Sequence, residues 1–372
     1  MHVLRMKMPL LFPTTVIGSL PRPQWVIDLV NELEAGAIGE KEFERALDSA
    51  VLFAIAMQEK AGIDVITDGE WRRRTYFTGF SRAVSGFKKD VIEVTTLTGA
   101  KAKWAAVVSK LKHVRPIAVD EARFVKKHTK RKVKITLPSP YMITRWFYDP
   151  DASRDAYPTR EDLIQDAADV LHKEALLLRD LGVDTIQFDD AMIGRFVGTE
   201  YNPTGTNPKV KITMADLDRE LEMAVAGMNR TLKGLDGVTT ALHVCRGHRA
   251  RMHAAHGGFE PIVPYLYRTN VDVLALELAA DDAGTADALK NFPEDKVLGM
   301  GVIDVLRREV DPPEVLVGRV KAMMKHVDRE RLMLNPDCGF APAHDNPISL
   351  DEAYLKMSSV AAAAKLLREA GG

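Results

Sequence analysis

The sequence predicts an α/β fold: a (β/α)8, or TIM, barrel with an insertion between its second and third strands. Three observations lead there. Eight short runs rich in Val, Ile, Leu and Thr recur along the 372 residues without a clean polar face, as strands buried on both sides of a parallel sheet do. Long stretches of helical periodicity fill the gaps between them. No G-x-G-x-x-G follows the first run, which weakens the competing doubly wound sheet. Residues 1–372 are read as one domain.

The strand-like runs are 12–18, 62–67, 132–137, 183–188, 239–245, 272–277, 297–303 and 331–335. Pro9 and Pro13 interrupt the apolar start, so it reads as the entry to a strand and not as a signal peptide. Residues 40–61 have helical spacing and stop before Gly62. The wide gap 71–131 is charged, contains Gly79, Gly86 and Gly99, and includes DVIEVTTLTG, a hairpin candidate. It is expected to form a lid or side wall. The helix over 160–181 opens on acidic residues and ends at Gly182. Thr213 to Asp216 resembles a capping box opening the helix 213–233. Asp311 is expected to cap a helix beginning with Pro312 and Pro313, and Ser349 to Glu352 to form a capping box for the last helix.

Composition limits the function classes. The chain is 46% hydrophobic and 28% charged, with a net charge of −1, so no global field favours nucleic acid or membrane. No apolar stretch approaches a membrane span. Two distant cysteines do not make a disulfide framework, and a reducing, cytoplasmic setting is the expectation.

Both cysteines fall at strand ends, where such a barrel gathers its chemistry. His243 and Cys245 share one strand face, because residues i and i+2 point the same way. Glu277 ends the next strand and Cys338 follows the last one. Together these four offer nitrogen, sulfur and oxygen donors for a tetrahedral zinc ion, Zn2+. A zinc ion with two thiolates binds a third thiol as a nucleophilic thiolate. Glu277, an oxygen ligand, is the one expected to give way to it.

Neighbouring strand ends supply the substrate contacts. Glu70 and Asp189 form an acidic pair suited to an ammonium group, and the turn Ile17, Gly18, Ser19 offers N–H groups to a carboxylate. Trp146 is a candidate for stacking a flat ring. Asp304 and Asp189 are the candidate catalytic acids, Asp304 by orienting His243 or polarising a donor. Arg72, Arg73 and Arg74 are candidates for meeting an anionic donor. His248, His253 and His256 read as ordinary histidines of a loop or exposed helix.

The I-G-S after strand one, D-G-E-W after strand two, IQFDD at strand four, H-x-C at strand five, the strand-six Glu and NPDCG at strand eight resemble the zinc-containing catalytic barrel of cobalamin-independent methionine synthase. The resemblance runs over nearly the whole chain. It implies zinc at His243, Cys245, Glu277 and Cys338, and the amino-acid end of homocysteine at Ile17, Ser19, Glu70 and Asp189. It implies a thiol methyltransferase making methionine, with methyl-folate or a methyl-corrinoid protein as the donor. Two departures concern that donor. The chain looks like a short form without the family's N-terminal barrel, and Leu306 stands where the family has a proton-donating His. The alternatives are alkyl transfer to another thiol, as in the relative that joins epoxides to coenzyme M, and a non-catalytic zinc-binding barrel. Oligomer formation is left open.

Overall fold

The computed structural model describes residues 8–284, 286–342 and 347–370. Its centre is a parallel sheet of seven strands in the order β1 (Val65–Ile66), β4 (Lys132–Pro138), β5 (Thr185–Asp190), β6 (Thr239–Val244), β9 (Val273–Leu276), β10 (Val297–Ile303) and β11 (Leu332–Pro336). Two parallel bridges, Thr14 to Leu334 and Thr15 to Val65, join the two edges and close the barrel. The first predicted strand, 12–18, is thus reduced to two bridges. Pro13 has no N–H to donate, and the Thr14 N–H goes to the Asp64 carboxylate instead of a ladder. The other strand boundaries fall within two residues of expectation, except the second, which shortens to Val65–Ile66.

The helices facing this barrel are α1 (Gln24–Glu34), α2 (Glu40–Ala61), α4 (Val119–His128), α5 (Pro140–Phe147), α6 (Arg160–Asp180), α7 (Leu217–Leu232), α8 (Val263–Leu266), α9 (Pro313–Met323) and α10 (Leu350–Glu369). Gly62 closes α2 in the left-handed region at φ 89°, as its position predicts. The Thr213 and Asp216 side chains form their capping box ahead of α7, after one 3-10 turn. Two caps differ from expectation. Asp311 gives its carboxylate to Arg319 at 2.6 Å, and Pro312 takes the cap of α9. Ser349 accepts from the Glu352 N–H, but the Glu352 carboxylate turns to Arg251 and Lys356, so that box is half formed. A charged partner outcompetes a backbone N–H for a carboxylate.

The insertion forms α3 (Thr78–Ala83) and a long antiparallel hairpin, β2 (Val84–Thr95) with β3 (Lys101–His113). DVIEVTTLTG supplies part of β2 and the turn. Register shifts between Ser85 and Phe87 and between Lys88 and Ile92 bend the ribbon, as β-bulges do. Its inner side packs Phe87 and Trp104 on Phe77, Trp146 and Phe147, making a wall of aromatic rings. A second ribbon, β7 (His248–Arg249) with β8 (Met252–His253), follows β6.

An apolar layer between barrel and helices includes Val16, Leu47, Ile135, Leu171, Phe188, Leu242, Leu276 and Leu298. The barrel's interior is more polar. A small void there is lined by Thr15, Lys134, Thr185, Gln187, Ala275 and Asn335. Among the described residues no helix is long and apolar enough to cross a membrane.

Candidate metal centre and substrate cavity

Strand β6 runs into His243 and Cys245, and the turn after β11 delivers Cys338. Their donor atoms lie within 4.8 Å of one another, and all three residues are buried. The His243 Nδ1 sits 3.1 Å from the Ala275 carbonyl, on the next strand. That carbonyl only accepts, so Nδ1 carries a proton, and in the neutral ring Nε2 keeps its lone pair. Nε2 is buried and has no hydrogen-bond partner. A ring fixed through one nitrogen, with the other orphaned beside two thiols, is the arrangement of a metal ligand.

The contact between the two thiols sets their acidities apart. The Cys338 S–H pulls Cys245 well below the ordinary thiol range, helped by His243 and opposed by burial. The same bond, with burial and the Glu277 charge, pushes Cys338 well above it. One nitrogen and two sulfurs fit a zinc ion, with one tetrahedral position left over.

Close packing holds this set in place. Gly194 passes so near the Cys245 carbonyl that a Cβ would overlap it. Asp337 accepts N–H bonds from Leu278, Ala279 and Ala280 at 2.9, 2.9 and 3.1 Å, tying the Cys338 turn to the chain after β9.

Glu277 lies outside the 4.8 Å cluster. Its carboxylate accepts from the Arg246 backbone N–H and from Arg246 Nη2, both at 2.9 Å, and lies 3.2 Å from His253 Nδ1. Both Arg246 and Glu277 are buried, and a buried carboxylate takes a cation where one is in reach. Of the four sequence-derived ligands, the structure therefore clusters three and places the fourth against Arg246.

The acidic pair sits in the same cavity, which has a volume of about 770 Å³ and is lined by Ile17, Ser19, Glu70, Asp189 and the His243, Cys245, Cys338 set. Glu70 adopts φ 59°, a conformation uncommon outside glycine. One of its oxygens accepts from Thr136 Oγ1 at 2.7 Å, and the other is buried without a partner. Thr136 is oriented by Arg73, which donates to both its hydroxyl and its carbonyl at 3.0 Å. Asp189 accepts from Gln187 at 2.6 Å. Burial raises its pKa to about 7, with His243 opposing and Glu70 adding to the rise.

Gly18 lies behind Glu70, and a Cβ on it would overlap Glu70 Oε1. Replacing Gly18 with Ala is expected to displace that carboxylate and raise the KM for the substrate amine about tenfold, since a misplacement near 1 Å costs that much or more. Steady-state kinetics checks this, with thermal melting to separate misfolding. An unchanged KM would show that Glu70 does not contact substrate.

Trp146 also lines the cavity, stacked on Phe77 at 4.9 Å between ring centres. Asp304 does not. Its carboxylate accepts from the Leu306 N–H at 2.7 Å, and the His243 nitrogen it was expected to orient is taken by Ala275. A turn of two residues satisfies Asp304 locally, which an isolated carboxylate does readily. The arginine run is also structural in part: Arg72 pairs with Glu44 and Asp48, and Arg73 with Glu121, while Arg74 reaches the cavity rim paired to Glu34. Tyr76, Trp104 and Arg195 line the cavity and escaped the sequence reading. So does His248, read as an ordinary histidine; its Nε2 lies 3.0 Å from the Gly339 carbonyl. Only the positions of Tyr76 and Trp104 inside the expected lid gave any signal.

Residues 12–365 match the family described as cobalamin-independent synthase, catalytic domain. A methionine synthase of Thermococcus kodakarensis is 31% identical over 90% of this chain and 88% of its own length. One from Sulfurisphaera tokodaii is 30% identical over 98% of this chain and 94% of its own. A solved B12-independent methionine synthase from Shewanella sp. W3-18-1, in complex with selenomethionine, superposes with a TM-score of 0.78 at 24% identity, covering 97% of this chain and 98% of that one. That likeness bears on the fold.

Proposed function

The chain belongs to the cobalamin-independent methionine synthase family, a family of methyltransferases, and we propose that it methylates homocysteine at a zinc ion held by His243, Cys245 and Cys338. The observation that carries this reading is the orphaned His243 Nε2 beside two buried thiols, opening on the same cavity as the Glu70 and Asp189 pair. When bound there, zinc keeps the sulfur of the incoming thiol deprotonated at neutral pH and so nucleophilic.

The chain's own groups do the rest. Glu70 and Asp189 take the ammonium group of homocysteine, and the Ile17 to Ser19 turn takes its carboxylate. The Ala275 carbonyl holds the His243 ring in the tautomer that leaves Nε2 available. Glu277 would supply a fourth ligand only by turning from Arg246, which now holds its carboxylate at 2.9 Å. Its charge acts on Cys338, and Arg246 is the partner it would keep when a thiol fills that position. The aromatic wall of Phe77, Trp104 and Trp146 excludes water and offers flat faces to the methyl donor. We assign that donor to methyl-folate. Leu306 is buried and cannot donate a proton, so the departing nitrogen takes its proton from another group or from water.

Coenzyme M carries a sulfonate and no ammonium, and the acidic pair disfavours it. The test is a donor screen at fixed homocysteine, using methyl-tetrahydrofolate with one and three glutamates, methylcobalamin and S-methylmethionine. Methionine is expected from a methyl-folate. Turnover with methylcobalamin alone would move the donor class and leave the thiol site standing. Turnover with none, in protein carrying zinc, would sink methyl transfer.

A further inference from the structure

Directly below the proposed ammonium subsite the barrel holds a buried lysine that no step above uses. Lys134 lies on β4, 2% exposed. Its Nζ donates to the Val16 carbonyl and, at 2.6 Å, to Gln187 Oε1. An ammonium group only donates, so the Gln187 oxygen must face it. The Gln187 amide nitrogen then points the other way. It donates to the Ile17 carbonyl at 2.8 Å and to Asp189 Oδ1 at 2.6 Å. A glutamine amide is nearly symmetrical in shape, and both ends fit the same space. Turned over, its oxygen would face the Ile17 carbonyl and the Asp189 carboxylate, acceptor against acceptor. The lysine beneath selects the orientation that holds both.

We propose that Lys134 is a positioning residue for the ammonium group of the thiol substrate, acting through Gln187 on Asp189. This rests on the reading of Glu70 and Asp189 as ammonium partners. Burial lowers the Lys134 pKa to about 7, and the Asp189 and Glu70 charges oppose that fall, so the ammonium form depends on the two carboxylates it supports. Glu70 has its own anchor in Thr136, so losing Lys134 loosens one of two carboxylates. The expected effect is smaller than losing Asp189 itself.

Calorimetry on the protein as purified tests this with two thiols, L-homocysteine and 4-mercaptobutanoate, which lacks only the amino group. Any contribution from the metal is common to both. Lys134→Met and Gln187→Leu are each expected to weaken homocysteine about tenfold and to leave 4-mercaptobutanoate within about twofold, the scale of one hydrogen bond to a charged group. Gln187→Leu changes no charge and carries the test if Lys134→Met does not fold. Parallel weakening of both thiols, or a homocysteine preference that survives in both variants, would overturn the relay alone. Equal affinity of the unaltered protein for the two thiols would overturn the ammonium site, and the relay with it.

Discussion

Cys338→Ser is expected to empty the metal site and to lower turnover roughly a thousandfold, the scale of the several kcal/mol a metal supplies to developing charge. The unaltered protein, purified without chelator, should carry about one zinc per chain, on the four-coordinate ligand count of such sites. Serine is nearly the same size as cysteine, so the turn after β11 should keep its shape, tied as it is by Asp337 to the N–H groups of Leu278, Ala279 and Ala280. What changes is chemistry. A serine hydroxyl stays protonated at neutral pH, whereas the Cys245 thiol is held well below the ordinary range, and serine is a poor zinc ligand. His243 Nε2 and Cys245 alone cannot hold the ion against a chelator. Metal content by elemental analysis is the direct readout, with melting temperature as a control for folding. Zinc bound at full stoichiometry in the variant would refute the ligand set, whatever happened to activity.

Asp189→Asn is expected to raise the KM for homocysteine about 100-fold, with a smaller change in kcat. A hydrogen bond to a charged group is worth about 1.5–3 kcal/mol, and each 1.36 kcal/mol is a factor of ten. The substitution keeps the shape and removes the charge. It also places an amide NH2 or oxygen against the Gln187 amide, which the carboxylate now accepts from at 2.6 Å. Glu70→Gln should act in the same direction, since its second oxygen is buried and has no other partner. Initial rates over a homocysteine series, with zinc content measured in parallel, separate substrate binding from loss of metal. A fall in kcat at constant KM would place Asp189 in the chemistry and not at the ammonium group.

Much of this molecule is legible from local patterns. Alternating apolar runs and helical stretches placed seven of eight strands, and the glycine after α2 stopped its helix where expected. The first strand failed because Pro13 cannot donate and Asp64 captures the next N–H. Period-two geometry put His243 and Cys245 on one face before any fold was known.

The side chains that depend on reach across the barrel were not legible. Nothing in VLALELA says that Glu277 meets Arg246, or in VIDVL that Asp304 turns to its own loop. Nor does KVKITL say that Lys134 looks inward at Gln187, 53 residues on. The sequence by itself determined the barrel and the residue types at its strand ends, because backbone periodicity and turn chemistry act over a few residues. The tertiary structure alone decided which carboxylates are paired and which stay open to a ligand, because a buried charge takes the strongest partner within a few ångströms, and closure of the barrel sets who that is.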